Sequence, residues 1–284
     1  MTPPPDRREA IGPERLPSFG DLAEAGSWDH KDFLLRFFPV FDARRGAAAE
    51  LFCTPVCDRV GADAIYGHRA FPAFTARVWS AVDIAILHHA HVFAGRLAAN
   101  GIAVGVGASV SFATLSDPIG RMAYRAALRT ADAQDRGTLA IKIEDIPPGT
   151  PGKRIGEIAS TIAGLARVWL HLPDSRIGLT APLHATGLVL TMPPRLPHQG
   201  MQAEACWLAR SAAQHGTLAC MDHVDTQQEF DSTRSAGVRF VAGAVLHRPS
   251  LPGSATVATV RDAIAVPAAT AAGGQRRDAI SAME

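Results

Sequence analysis

The chain has 284 residues, 47% of them hydrophobic, with 28 Lys plus Arg against 27 Asp plus Glu. So even a charge balance supplies no global drive toward nucleic acid or an anionic membrane, and the apolar content suits a globular core. No apolar run reaches the roughly 18 residues of a membrane span, and the opening MTPPPDRREAIGPERLP lacks the apolar centre of a secretory signal, so a cytoplasmic protein is expected.

The length fits one α/β barrel of about 250 residues with ragged ends. The cysteines are Cys53, Cys57, Cys206 and Cys220. Cys53 and Cys57 have Pro55 between them and no matching second pair follows, which makes a poor zinc site. Reduced cysteines packing as small apolar groups are expected instead.

Residues 1–26 are rich in Pro and charge and read as a disordered arm. Phe33–Phe41, a turn at residues 42–46 and Ala47–Phe52 form an antiparallel hairpin. Val82–Ala99 is helical and stops at Asn100-Gly101. Its His88, His89 and His91 do not share one face, which points to structural or surface histidines and not a metal site. Ile102–Val110 is a strand bearing Gly105 and Gly107; it completes neither phosphate-loop motif, so crowding in a barrel explains its small residues.

A helix follows from about Ile119 to Ala133, then the strand Leu139–Ile146, on which alternation places Lys142 and Glu144 on one face, able to pair. Ile155, Ile158, Ile162 and Leu165 mark a helix, Arg167–Leu172 a strand, and residues 174–186 a loop. Leu188–Met192 is the next strand. Pro193, Pro194 and Pro197 interrupt the chain before a helix over 201–215, with Ala205, Leu208 and Ala212 inward. Residues 217–243 read as a βαβ unit: a strand over 217–221, a helix capped by Asp225 or Thr226 and stopped by Gly237, and a strand over 238–241. Beyond residue 252 lies an Ala-rich, partly disordered tail, with a last helical turn or two at 257–264.

Several of these segments carry a common pattern. Phe38-Pro39-Val40-Phe41-Asp42 and Glu50-Leu51-Phe52 stand where EAL domains have Q-P-I-V-D and E-A-L. Met221-Asp222-His223-Val224-Asp225-Thr226 matches A-E-G-V-E-T, Ala242-Gly243-Ala244 matches Q-G-Y, and Leu246 to Pro249 matches L-F-x-x-P. Over residues 33–250 the chain therefore resembles a degenerate EAL domain, of the cyclic di-GMP phosphodiesterase family. The resemblance implies an α/β fold, an EAL-type modified TIM (β/α)8 barrel with an antiparallel opening hairpin. That barrel would span residues 27–252, between the arm at 1–26 and the tail at 253–284. An unrelated TIM-type barrel is the alternative.

The same resemblance locates the site and shows most of its chemistry replaced. Glu50 stands for the E-A-L glutamate, with Thr54 for the dinucleotide-contacting Arg. Ser109 stands for the metal-binding Asn, and Lys142 for a metal-binding Glu. His171 and Leu172 replace the paired aspartates, Val189 the catalytic Lys, Thr191 an Asp, and Ala242 a Gln. Asp222 is a retained acid one methylene shorter, and Asp225 stands for the second acid of A-E-G-V-E. An ammonium at position 142 reverses the charge where Mg2+ should sit, so loss of both metal sites, no cofactor and no catalytic residue are expected. Glu50, Lys142 and Asp222 are the expected residual ligand contacts.

Four functions are compatible with such a barrel. A phosphodiesterase would need oxygen ligands that the chain lacks. A non-hydrolysing cyclic di-GMP receptor would use Lys142 for a phosphate. A new enzyme would use His171 or His223 with Asp222 and Lys142 at the barrel mouth. The reading favoured is a catalytically inactive regulatory or protein-interaction module, with a protein partner or self-association and no nucleic acid, whose old site is closed by apolar side chains.

Overall fold

The computed structural model describes residues 33–57, 65–68, 75–130, 139–180, 182–194, 196–243 and 245–246. The arm expected at 1–26 and the tail at 253–284, with its turn at 257–264, lie outside the described residues.

The opening hairpin pairs β1 (Phe33–Asp42) antiparallel with β2 (Ala47–Cys57). Its turn is closed by the Gly46 N–H donating to the Asp42 carbonyl at 2.8 Å, with Gly46 at φ 62°. That left-handed conformation suits glycine at little steric cost. A two-residue strand, β3 (Ile65–Tyr66), adds to the edge of β2. From β2 onward the staves are parallel: β4 (Gly105–Ser111), β5 (Leu139–Glu144), β6 (Arg167–Leu172), β7 (Gly187–Thr191), β8 (Leu218–Asp222) and β9 (Phe240–Val241). β1 pairs with both β2 and β9, closing an eight-stranded barrel with one antiparallel stave.

The closing seam is short, two residue pairs between β1 and β9. A side-chain clamp reinforces it: buried Asp42 accepts from Arg239 Nε at 3.0 Å and Nη2 at 2.7 Å. Burial pushes the Asp42 carboxyl up, but its bonds to Arg239 and to the turn backbone leave it below its usual value.

Helices cover the outside. α1 (Ala76–Ala99) is capped by Thr75 and begins at Ala76, ahead of the expected Val82. Its buried stripe of Trp79, Val82, Ile86, Ala90, Phe93 and Leu97 packs on the sheet. The helix expected from Ile119 is α3 (Pro118–Thr130), and a short helix not expected from the sequence, α2 (Phe112–Ser116), capped by Ser111, precedes it. α4 (Gly152–Ala163) and α5 (His198–Gln214) follow β5 and β7. α6 (Gln227–Ser235) settles the choice of cap: Thr226 and Glu229 form a capping box.

Two apolar layers result. The larger lies between staves and helices, and Leu172, 1% exposed, belongs to it. The smaller fills the barrel, where Trp169 sets its ring edge-on against Phe52 and Phe240, with ring centroids 6.2 and 5.7 Å away, among Val40, Ala140, Val189, Cys220 and Ala242. Aromatic rings of this size need gaps in facing strands. Gly107 leaves room for Phe52, and Gly187 for Trp169; an added Cβ at either would overlap the ring. The glycines of β4 thus serve packing, as the sequence suggests.

Gly107→Ala forces Phe52 out of its seat and is expected to destabilise the fold by about 1–3 kcal/mol. In urea unfolding this shows as a lower midpoint with an unchanged slope.

Candidate functional site at the barrel mouth

Alternation along each stave decides which side chains enter the barrel. Trp169 and His171 face in on β6, and Leu170 and Leu172 face out beneath the helices. Ser109 on β4, Lys142 and Glu144 on β5, His171 on β6, Thr191 on β7 and Asp222 on β8 gather toward the C-terminal strand ends.

The centre of this layer is a chain of buried charges. Lys142 Nζ lies 2.6 Å from Glu144 Oε1, and the ammonium sits 5.4 Å from the centroid of the Phe52 ring. Glu144 Oε2 accepts from His68 Nδ1 at 2.9 Å, and His68 Nε2 donates to Asp83 Oδ1 at 2.7 Å. The other Asp83 oxygen accepts the Ser111 backbone N–H at 3.1 Å. Lys142, Glu144, His68 and Asp83 are 7%, 5%, 1% and 0% exposed. The chain thus joins β5, the segment after β3, α1 and the end of β4.

Each member sustains the charge of the next. Burial depresses the His68 imidazole, but Asp83 first and Glu144 second more than reverse this, raising it to about 10. His68 is therefore an imidazolium at neutral pH, and both ring nitrogens donate. Burial pushes Glu144 up, yet Lys142 and His68 hold it well below the usual carboxylate range. Burial pulls Lys142 down, and Glu144 with Asp222 raises it above its ordinary value. Two cations and two carboxylates close the chain with no net charge.

Ser109 shares a 2.7 Å hydrogen bond with Thr54, so the positions of the metal-binding Asn and the ligand-binding Arg are joined to each other. His171 Nε2 meets Thr191 Oγ1 at 2.7 Å. Asp222 Oδ1 accepts the backbone N–H of exposed His223 at 2.8 Å, and His223 is left-handed at φ 56°. Asp225 is exposed, its N–H donating to Glu229 Oε2 at 2.8 Å. Val189 and Ala242 line the barrel interior. Of the histidines of α1, His89 stacks on Phe37 with centroids 5.6 Å apart and His88 is exposed.

Two expectations are corrected. Apolar side chains do not close the mouth: Val189 and Ala242 sit in the apolar interior, Leu172 faces outward, and the mouth itself holds the ionic chain. Glu50 does not join Lys142 and Asp222. It pairs with Gly105 at the start of β4, four residues before Thr54 on the same face, about 13 Å further down the strand. There Arg167 holds it in an ion pair, beside Trp169. Burial raises its carboxyl despite Arg167. The absence of a Cβ at Gly105 makes room for both side chains.

No protein-family model matches the chain, and no curated protein matches it either. Solved structures do. The EAL domain of Xanthomonas citri FimX, in complex with c-diGMP, superposes with a TM-score of 0.58 at 18% identity, over 80% of this chain and 91% of that one. The fold is that of EAL domains. The phosphodiesterase PaMucR, in a c-di-GMP complex, gives a TM-score of 0.59 at 13% identity, covering 78% of this chain and 97% of the other. The S helix–GGDEF–EAL chain of Vibrio cholerae LapD gives a TM-score of 0.58 at 11% identity, covering 77% of this chain and 54% of that one.

The divalent cations implied by the resemblance to EAL domains do not fit these side chains. An ammonium stands where a carboxylate would bind, both Glu144 oxygens are engaged, the Ser109 hydroxyl is bonded to Thr54, and Glu50 lies in another layer. Among the described residues no three His, Cys, Asp or Glu side chains are grouped as ligands. His68 and Asp83 escaped the sequence reading. One signal was present: Asp83 interrupts the apolar stripe of α1 between Val82 and Ile86, and a buried acid requires a partner.

The His68 shift fixes a pH dependence. A pKa raised on folding means the native state binds the proton more tightly, so the stabilisation is complete below the unfolded value near 6.5 and is lost as pH rises toward 10. The native protein is expected to lose stability over this window, and His68→Gln to remove most of that slope. Breaking the bridge also costs on the order of 3 kcal/mol at neutral pH. Urea midpoints measured across the pH range check both effects.

Proposed function

We propose that this chain is a catalytically inactive EAL-type domain serving as a regulatory or protein-interaction module in bacterial cyclic di-GMP signalling. The observation that carries the reading is Lys142, whose ammonium occupies the centre of the mouth in a closed ionic chain. Two-metal hydrolysis needs cations that bridge phosphate oxygens and generate a nucleophile from water. Here the positive charge is a side chain already committed to Glu144. Glu50 is bound to Arg167 in another layer, and among the described residues no pair of carboxylates converges with it.

The central charges also bear on binding. Lys142 and His68 supply two positive charges, and Glu144, Asp83 and Asp222 three negative ones, so these five groups sum to −1. A ligand with two phosphates finds no surplus positive charge in them. This favours a protein partner, or a second copy of the chain, over the alternative of a non-hydrolysing cyclic di-GMP receptor.

Incubation with cyclic di-GMP and Mg2+ or Mn2+ is expected to give no linear dinucleotide above the protein-free rate, and calorimetric titration of the folded protein no binding heat. Turnover abolished by Asp222→Asn would overturn the inactive reading. Micromolar binding without turnover would establish the receptor.

A further inference from the structure

The ionic chain has a hub. Glu144 touches two cations, one on each oxygen: Lys142 at 2.6 Å and His68 at 2.9 Å. His68 is tied onward to Asp83 of α1 and packs against Trp79 of the same helix, with ring centroids 4.5 Å apart. Gly67 stands directly beside Glu144, and a Cβ there would come within 3.1 Å of Oε2. Asp222 adds its charge to the field on the ammonium from β8. The Thr54–Ser109 pair lies next to it in register, since Ser109 pairs with Lys142 across β4 and β5.

We propose that Lys142 is a resident cation: its ammonium fills a cation position at the barrel mouth and organises the surrounding strand ends and α1, so that no divalent ion is needed. The inference rests on the inactive reading above and deepens it. Physically, the mouth holds Glu144 and Asp222, while the imidazolium is shared between Glu144 and Asp83. Without Lys142, buried Glu144 keeps only the His68 imidazolium, which it shares with Asp83, and a buried charge whose pairing is incomplete is costly to a fold. A side-chain amine supplies the missing charge at fixed stoichiometry and without dependence on cation concentration. It cannot, however, bridge two phosphate oxygens or activate water as a metal does. The same replacement accounts for an assembled mouth and for the loss of its chemistry.

The test is thermal unfolding of the full chain, with and without Ca2+ or Mg2+, which needs neither dinucleotide nor turnover and is therefore separate from the activity assay. The native protein is expected to melt at the same temperature with or without the divalent ion. Lys142→Met keeps the length and removes the charge, and is expected to melt lower by roughly 5–10 °C. Lys142→Glu adds a third carboxylate beside Glu144 and Asp222. It is expected to melt lower still, and to recover at least half of the loss in Ca2+ on the order of millimolar. Lys142→Arg retains the charge and is expected to lose less than Lys142→Met.

The proposal is overturned if Lys142→Met melts with the native protein, since the ammonium then organises nothing. It is equally overturned if divalent ions raise the native melting temperature as much as that of Lys142→Glu, or if Lys142→Glu folds but gains nothing from them. Should Lys142→Glu fail to fold in any buffer, the comparison of Lys142→Met with Lys142→Arg decides, and equal losses in the two contradict the proposal.

Discussion

Glu144 is the residue on which the mouth depends, because it is the only anion shared by both cations of the buried chain. A carboxylate at 5% exposure is tolerable only when its charge is met on every open side. Lys142 meets it from the same strand, two residues away on the same face. His68 meets it from a segment 76 residues earlier in the chain. One local and one distant contact together fix the end of β5 against α1, and through Asp83 and the Ser111 N–H they fix the end of β4 as well. The polar chain does for this end of the barrel what Trp169 and its aromatic neighbours do for the interior.

The two layers divide the work. In the interior, bulky rings face glycines, and packing alone sets the register. At the mouth, Lys142, Glu144, His68 and Asp83 take the place of the rings, and charge balance sets the arrangement. At the opposite end Glu50 and Arg167 repeat the device with one pair. The barrel thus carries ionic pairs at both ends and an apolar centre between them. This is the physical content of the proposal that the chain regulates or docks and does not hydrolyse: the groups that would engage a metal and a dinucleotide are engaged with one another.

Much of this was legible in the residues, and the exceptions have specific causes. The staves could be read because each is a short apolar run bounded by glycine, proline or a cap, and Gly237 at φ 86° ends α6 as its position predicts. The Lys142–Glu144 pair followed from alternation alone. Alternation would also have shown that Leu172 faces away from the mouth, since its neighbour His171 faces in; matching letters to paired aspartates hid this. Glu50 was misplaced for another reason. A residue type fixes neither the bulge between Val40 and Phe41 nor the pairing of Glu50 with Gly105, and those two facts choose the layer. His68 could not be found by periodicity, because it lies just beyond a two-residue strand in a stretch with no repeat.

A charged, fully bonded imidazolium lies between Asp83 and Glu144, and the Lys142 ammonium completes the chain. The most direct measurement is the nitrogen-15 and proton spectrum of the His68 ring as pH is raised. Both ring nitrogens are expected to carry protons at pH 7 and to remain protonated well into the alkaline range, with slow exchange against water. A His68 ring that titrates near 6.5, or holds a single proton at neutral pH, would contradict it.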